Sequence, residues 1–264
     1  MMPKTVTVEK FYKVHTTHDL ISKLCTTLNM IYFFALILLL IGMTVVENVP
    51  MKIITALVAS MVVTKMKQQC FMLLTKLSNY DLYFIHIPKN GGTSFSKQFL
   101  GHHIKHKSIT CYPKNIWHKT IAIIRNPFTR LVSTYNFIKA GDGYWFSSDK
   151  SDVHYLYEHC NKITFKQFVK EINTNANIYN DVLILPQYIW IITPQGNIVS
   201  NIVKLENIDN DLSKLLNTDM EMIKINNSKN VVDYREYYDD ITEELVRKIY
   251  KKDFELFGPF DIPK

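Results

Sequence analysis

Between residues 80 and 260, short apolar runs alternate with polar stretches of helical period, the pattern of an α/β protein. Phe84, Ile85 and Ile87 mark an apolar strand over 83–87. Pro88 ends it. Gly91 and Gly92 allow a tight turn at positive φ, and Thr93 and Ser94 open a helix. Residues 121–124 form a continuous apolar run, as in a central parallel strand. Pro127 suits the first turn of a helix over 128–139, which Gly141-Asp-Gly143 ends. Residues 142–160 are polar and aromatic and read as a loop over the ligand edge of the sheet. Phe165, Phe168, Val169 and Ile172 share one face of an amphipathic helix, a core-packing face. Residues 183–194, with Trp190, are expected on the substrate side, and 203–205 as a short strand. Thr242, Glu243 and Glu244 start a C-terminal helix over 242–257, apolar at 245, 246, 249, 250, 254 and 257. The predicted architecture is three-layer α/β with a short parallel sheet.

The N-terminal pattern is different. Residues 24–46 are 23 positions without a charge and without a polar face. About 20 apolar residues span a bilayer as a helix, so this run predicts a transmembrane helix. It begins late and lacks a small-residue cleavage site, which disfavours a signal peptide. Residues 53–64 are also uncharged, and read as a second pass, an interfacial helix or a stalk packed on the first. Lys4, Lys10, Lys13 and Lys23 precede the first run; Lys65, Lys67 and Lys76 follow the second. Two passes would place both Lys-rich flanks in the cytoplasm, whereas one pass would leave the C-terminal part in a lumen, the favoured arrangement. The expected plan is a flank over 1–23, a membrane helix over 24–46, a stalk or second membrane segment over 47–79 (about 50–64), and a catalytic domain over 80–264.

The turn over 89–94 carries the first candidate chemistry. A helix N-terminus offers free N–H groups to an anion, and Lys89 adds positive charge. The spacing differs from the G-x-x-x-x-G-K-[ST] nucleotide loop, and an ordinary Gly-rich βα turn would look similar. Arg125 stands at the C-terminal end of the second strand, where open α/β sheets bind ligands. Arg130, Ser133 and Phe137 follow at helical spacing. The chain has 31 Lys and Arg, yet arginine occurs only at 125, 130, 235 and 247, leaving 27 lysines, as AT-rich codon usage would produce. Arginine at 125 and 130 therefore points to a need for its planar fork of donors. The net charge of +7 suits anionic ligands, glycans or membranes. No basic run interleaved with stacking aromatics points to nucleic acid. Cysteines at 25, 70, 111 and 160 have no metal spacing, and only Cys111 and Cys160 could pair within the catalytic part.

The pair I-P-K-N-G-G-T-S (87–94) and R-N-P-F-T-R-L-V-S-T-Y (125–135) resembles the two cofactor motifs of the membrane-bound carbohydrate sulfotransferases and their bacterial relatives. These enzymes use 3′-phosphoadenosine 5′-phosphosulfate (PAPS). Leu185-Pro-Gln-Tyr188, the strand ending at Glu206, Asn226-Asn-Ser228 and the segment 250–257 resemble the family's later segments in the same order. The resemblance covers about residues 80 to 260. It implies a P-loop-like sulfotransferase fold and a membrane-anchored enzyme, with PAPS as co-substrate, no metal, and a glycan or other hydroxyl acceptor. In it, Lys89, Asn90, Gly91, Gly92, Thr93 and Ser94 hold the 5′-phosphosulfate, with Lys89 near the bridging oxygen. Asn90 stands where the family often has Thr or Ser. Arg125 and Ser133 hold the 3′-phosphate. Asn227, Ser228 and Lys229 are candidates for the closing cofactor loop, and Asn226 begins an N-glycosylation sequon. Arg130 is expected to be structural, on the helix and paired with an acid.

Sulfuryl transfer needs a base for the acceptor hydroxyl. Histidines 102, 103, 106 and 118 lie between the two motifs, and Lys105-His106-Lys107-Ser108 resembles an element that bacterial relatives carry there. His106 is the expected catalytic base beside Lys89, with Glu206 or Asp142 as alternatives. Competing functions are a nucleotide-dependent phosphotransferase, for which a GK[ST] loop and a strand-end Asp are missing, and an inactive membrane-anchored module of the same fold.

Overall fold

A computed structural model describes residues 49–77, 80–141, 153–198, 201–222 and 233–263. The expected membrane helix over 24–46, Asp142 and the 226–229 segment lie outside the described residues. The chain enters through helix α1 (Val49–Thr75) and strand β1 (Lys76–Leu77). Strand β2 (Leu82–Ile85) leads through the Gly-rich turn into helix α2 (Gly92–Leu100). Two 3₁₀ turns then precede strand β3 (Thr120–Ile124), which leads into helix α3 (Pro127–Ala140). Helix α4 (Phe165–Thr174), strand β4 (Asn201–Lys204) and helix α5 (Ile208–Leu216) follow. Helices α6 (Asp240–Ile249) and α7 (Lys251–Phe257) close the chain.

The four strands form one sheet in the order β1-β2-β3-β4. β1 is antiparallel to β2, while β2, β3 and β4 are parallel. Strand alternation divides the buried side chains between two faces. Tyr83, Ile85, Ala122 and Ile124 pack with Trp190, Ile191, Phe257 and Phe260. Phe84, Ile121, Ile123 and Val203 pack with Phe95, Leu100, Leu212 and Leu216 from α2 and α5. The sheet is thus covered on both faces, which is why β3 is buried at every position. A third cluster joins α3 to α4 and α6 through Leu131, Tyr135, Phe168, Val169 and Val246.

Several boundaries differ from expectation. The strand expected over 83–87 ends at Ile85; beyond it the His86 ring bonds the Ile104 carbonyl and the His106 ring the His86 carbonyl. The last strand falls at 201–204 and not 203–205. The single helix expected over 242–257 is two. Asp239 and Thr242 form a capping box that starts α6 earlier. At Tyr250 the chain turns so that its buried hydroxyl reaches the Ile184 carbonyl at 2.8 Å. Only Gly91 of the glycine pair has positive φ (74°); the other left-handed residue of the turn is Lys89 (64°).

The sheet also begins before residue 80, since β1 pairs with β2. Helix α1 is tied to the core by Gln68, which donates to the Cys111 carbonyl at 3.1 Å, and by Met72. The uncharged run 53–64 lies within α1, where Ile53, Leu57, Val58, Met61 and Val62 form an exposed apolar stripe. Among the described residues, no helix is long and apolar enough to cross a membrane. Cys111 and Cys160 are both free thiols.

Candidate active site

The Gly-rich turn sits at the C-terminal edge of β2. Helix α2 starts with Gly91 as N-cap, and no side chain caps it, which leaves the Gly92 and Thr93 N–H groups without an intrahelical acceptor. Backbone bonds from Ser94 and Phe95 to the Gly91 carbonyl (3.1 and 3.2 Å) set the first turn. The Lys89 ammonium lies 3.9 Å from the centroid of the Phe137 ring on α3. Asn90 points the other way. It is buried, and its amide donates to the Ile123 carbonyl and to Gln187 Oε1, both at 2.7 Å, while Oδ1 has no partner. Its side chain fastens the turn to β3; its contribution toward a ligand is left to the backbone. Gly92 is needed for space: a Cβ there would lie 2.1 Å from the His86 ring.

Arg125 faces this turn from the end of β3. Nε donates to Thr129 Oγ1 (2.9 Å), Nη1 to the Lys89 carbonyl (3.1 Å) and Nη2 to the Tyr234 hydroxyl (3.3 Å). Thr129, Ser133 and Phe137 recur every four residues on α3, so they line one face. Thr129 touches Arg125 and Phe137 carries Lys89, and Ser133 is half-buried between those two positions on the helix. The structure therefore brings Lys89 and Arg125 together beside the start of α2, with Ser133 one turn from each of their contacts on α3. Arg130 is different. It is 2% exposed and donates to three carbonyls, those of Pro88 (3.1 Å), Leu185 (3.0 Å) and Leu183 (3.2 Å). Carbonyls, not the expected acid, are its hydrogen-bond partners. It stitches the start of the turn to the segment before Gln187.

Gln187 and Asp253 underlie the site, and their roles were not read from the sequence. Asp253 is fully buried and accepts from the backbone N–H groups of Gln187 (2.8 Å) and Tyr188 (2.9 Å). Burial raises its pKa, which the N–H donors oppose. Only the position of Gln187 and Asp253 within family-like segments hinted at them. Tyr234 was also missed, because a lone tyrosine 109 residues from Arg125 carries no local signal. Glu206, the alternative base, accepts from the Asn126 backbone N–H at 2.7 Å.

His106 lies on the other side of the turn. Its Nδ1 is 2.8 Å from the His86 carbonyl. A carbonyl only accepts, so Nδ1 carries the proton and Nε2 is the basic nitrogen of the neutral ring. Burial, with smaller contributions from Arg130 and Lys89, lowers its pKa to about 4, against the raising effect of that hydrogen bond. The ring packs on His86 (4.1 Å between centroids) and edge-on to Trp190 (6.2 Å). The Trp190 indole N–H is buried without a partner. His118 is exposed in the 3₁₀ turn before β3, at the end of that strand remote from Arg125.

A βα turn with an uncapped helix start and two cations, and a neutral imidazole nearby, is an arrangement that could serve group transfer between an anionic donor and a hydroxyl. The sequence model described as "Sulfotransferase family" matches residues 52–261, a span that includes the sheet, the turn and His106. The chain belongs to the sulfotransferase family. No curated protein and no solved structure matches it. The mixed α/β fold with its mostly parallel four-stranded sheet fits that family.

Proposed function

We propose that the protein transfers a sulfuryl group from PAPS to a hydroxyl of a glycan acceptor. The observation that carries this reading is the placement of Lys89, Arg125 and the uncapped start of α2 on one wall, with the neutral His106 across the turn. In-line sulfuryl transfer, like phosphoryl transfer, builds charge on the leaving oxygen. Lys89 and the N–H groups of Gly92 and Thr93 stabilise that charge. Arg125 and Ser133 hold the 3′-phosphate, which distinguishes PAPS from ATP. His106 Nε2 accepts the proton of the acceptor hydroxyl.

The reading includes a membrane anchor. The uncharged run over 24–46 and the exposed stripe of Ile53, Leu57, Val58, Met61 and Val62 support it. A single pass with a lumenal catalytic domain is the favoured topology. Protease digestion of sealed microsomes checks it: the C-terminal domain should survive without detergent, and digestion would place it in the cytosol.

Calorimetric titration tests the donor. 3′-Phosphoadenosine 5′-phosphate (PAP) should bind at least about tenfold more tightly than ATP, a difference of roughly 1.4 kcal/mol. Equal affinity would remove the basis for PAPS as donor.

A further inference from the structure

His106 lies in a stretch, 103–108, with no helix or strand to hold it. Two imidazole–carbonyl hydrogen bonds take the place of a ladder. His86 Nδ1 is 3.0 Å from the Ile104 carbonyl, and His106 Nδ1 is 2.8 Å from the His86 carbonyl. Carbonyl acceptors require the proton on Nδ1 in both rings. The rings lie 4.1 Å apart at 47°, and Phe84 stacks on His86 at 5.7 Å. The same His86 ring fills the space against the start of α2, where a Cβ on Gly92 would come within 2.3 Å of Nε2. His86 thus touches both the anion-binding turn and the proposed base.

We propose that His86 is a positioning residue: its side chain holds His106 at a fixed distance from the turn, and its carbonyl fixes the tautomer that leaves Nε2 basic. This rests on the reading of His106 as the base. His86 is neutral throughout the working range, because burial, helped by the neighbouring His106 and His103, lowers its pKa to about 3. The charged groups that act on His106 are Arg130 and Lys89. If the link to Ile104 is lost, the 103–108 stretch moves outward and His106 regains water.

The test uses the full chain in detergent with ¹⁵N-labelled histidine; there are only nine histidines, and the His106→Gln variant assigns the signal. His86→Phe keeps the ring and the stack but loses the donor. His86→Asn places an amide N–H where Nδ1 was and keeps the bond to Ile104. In the wild type His106 should show a protonated Nδ1 and titrate well below about 6.5, its unperturbed value. His86→Asn should retain both properties. His86→Phe should shift the titration up by about one pH unit or more and populate both tautomers. It should also lower kcat at least about tenfold. A Phe variant with wild-type titration and kcat would overturn the proposal, as would an Asn variant whose titration moves although it folds. The spectra read the imidazole without turnover. A wild-type enzyme inert toward PAPS would therefore sink the base assignment, while the His86–His106 relation would still be judged by the spectra.

Discussion

Gln187 and Arg125 exchange two hydrogen bonds in the manner of facing strand residues. Gln187 Oε1 accepts from the Arg125 N–H and its Nε2 donates to the Arg125 carbonyl, both at 2.8 Å. The same Oε1 accepts from Asn90, and Asp253 holds the Gln187 backbone from behind. One amide therefore ties the end of β3 to the Gly-rich turn. Gln187→Ala leaves buried backbone groups unpaired and should cost about 2–4 kcal/mol of stability. Gln187→Glu should be worse, because it puts an acceptor against the Arg125 carbonyl and Asp253. Urea unfolding checks the order; a Glu variant as stable as wild type would refute the clamp.

Arg125 and Arg130 divide ligand binding from architecture. Arg125→Lys keeps a charge but loses the fork that spans Lys89 and Tyr234, so affinity for PAPS and PAP should fall alike, by roughly tenfold or more. Arg130→Met removes donors from three carbonyls at a buried site and should cost about 3–5 kcal/mol of stability. Calorimetry and thermal unfolding of both variants separate the two roles. Equal loss of nucleotide affinity in two folded proteins would contradict the division.

The strand–turn–helix units were legible because each rests on local signals: an apolar run, a Gly pair, a Pro at a helix start. His106 was chosen from a cluster of four histidines between the two motifs together with a resemblance, with no local structural signal behind it. What escaped was long-range. Asp253 bonds residues 65 and 66 positions away, and Tyr234 meets Arg125 across 109. No periodicity encodes such pairs. The resemblance assigned Asn90 to the phosphosulfate, yet its side chain turns inward to Ile123 and Gln187. The break at Tyr250 is tertiary too, since a buried hydroxyl bond overrides a helix-compatible pattern.

The depressed pKa of His106 fixes the sign of two pH effects. Nε2 remains unprotonated until the pH falls to about 4. kcat should therefore be flat from about pH 8 to 5 and fall below that. Stability should be complete above the unfolded value of about 6.5 and decline as the pH drops toward 4. In that window the unfolded chain takes up protons that folded His86 and His106 do not, each contributing about 1.4 kcal/mol per pH unit. An acid limb of kcat near 6.5 would contradict this environment for the base.

Lys89 should matter to turnover more than to binding, because its partner oxygen gains charge in the transition state. Lys89→Ala should lower kcat by about 10²–10³ with little change in the KM for PAPS. A raised KM with intact kcat would reassign Lys89 to ground-state binding.

The most direct measurement is transfer of ³⁵S-labelled sulfate from PAPS to a panel of glycans by the full-length protein in detergent. The account predicts label on a hydroxyl of at least one glycan, abolished by His106→Ala in a protein that still binds PAP. No transfer to any acceptor, or full activity in His106→Ala, would contradict it.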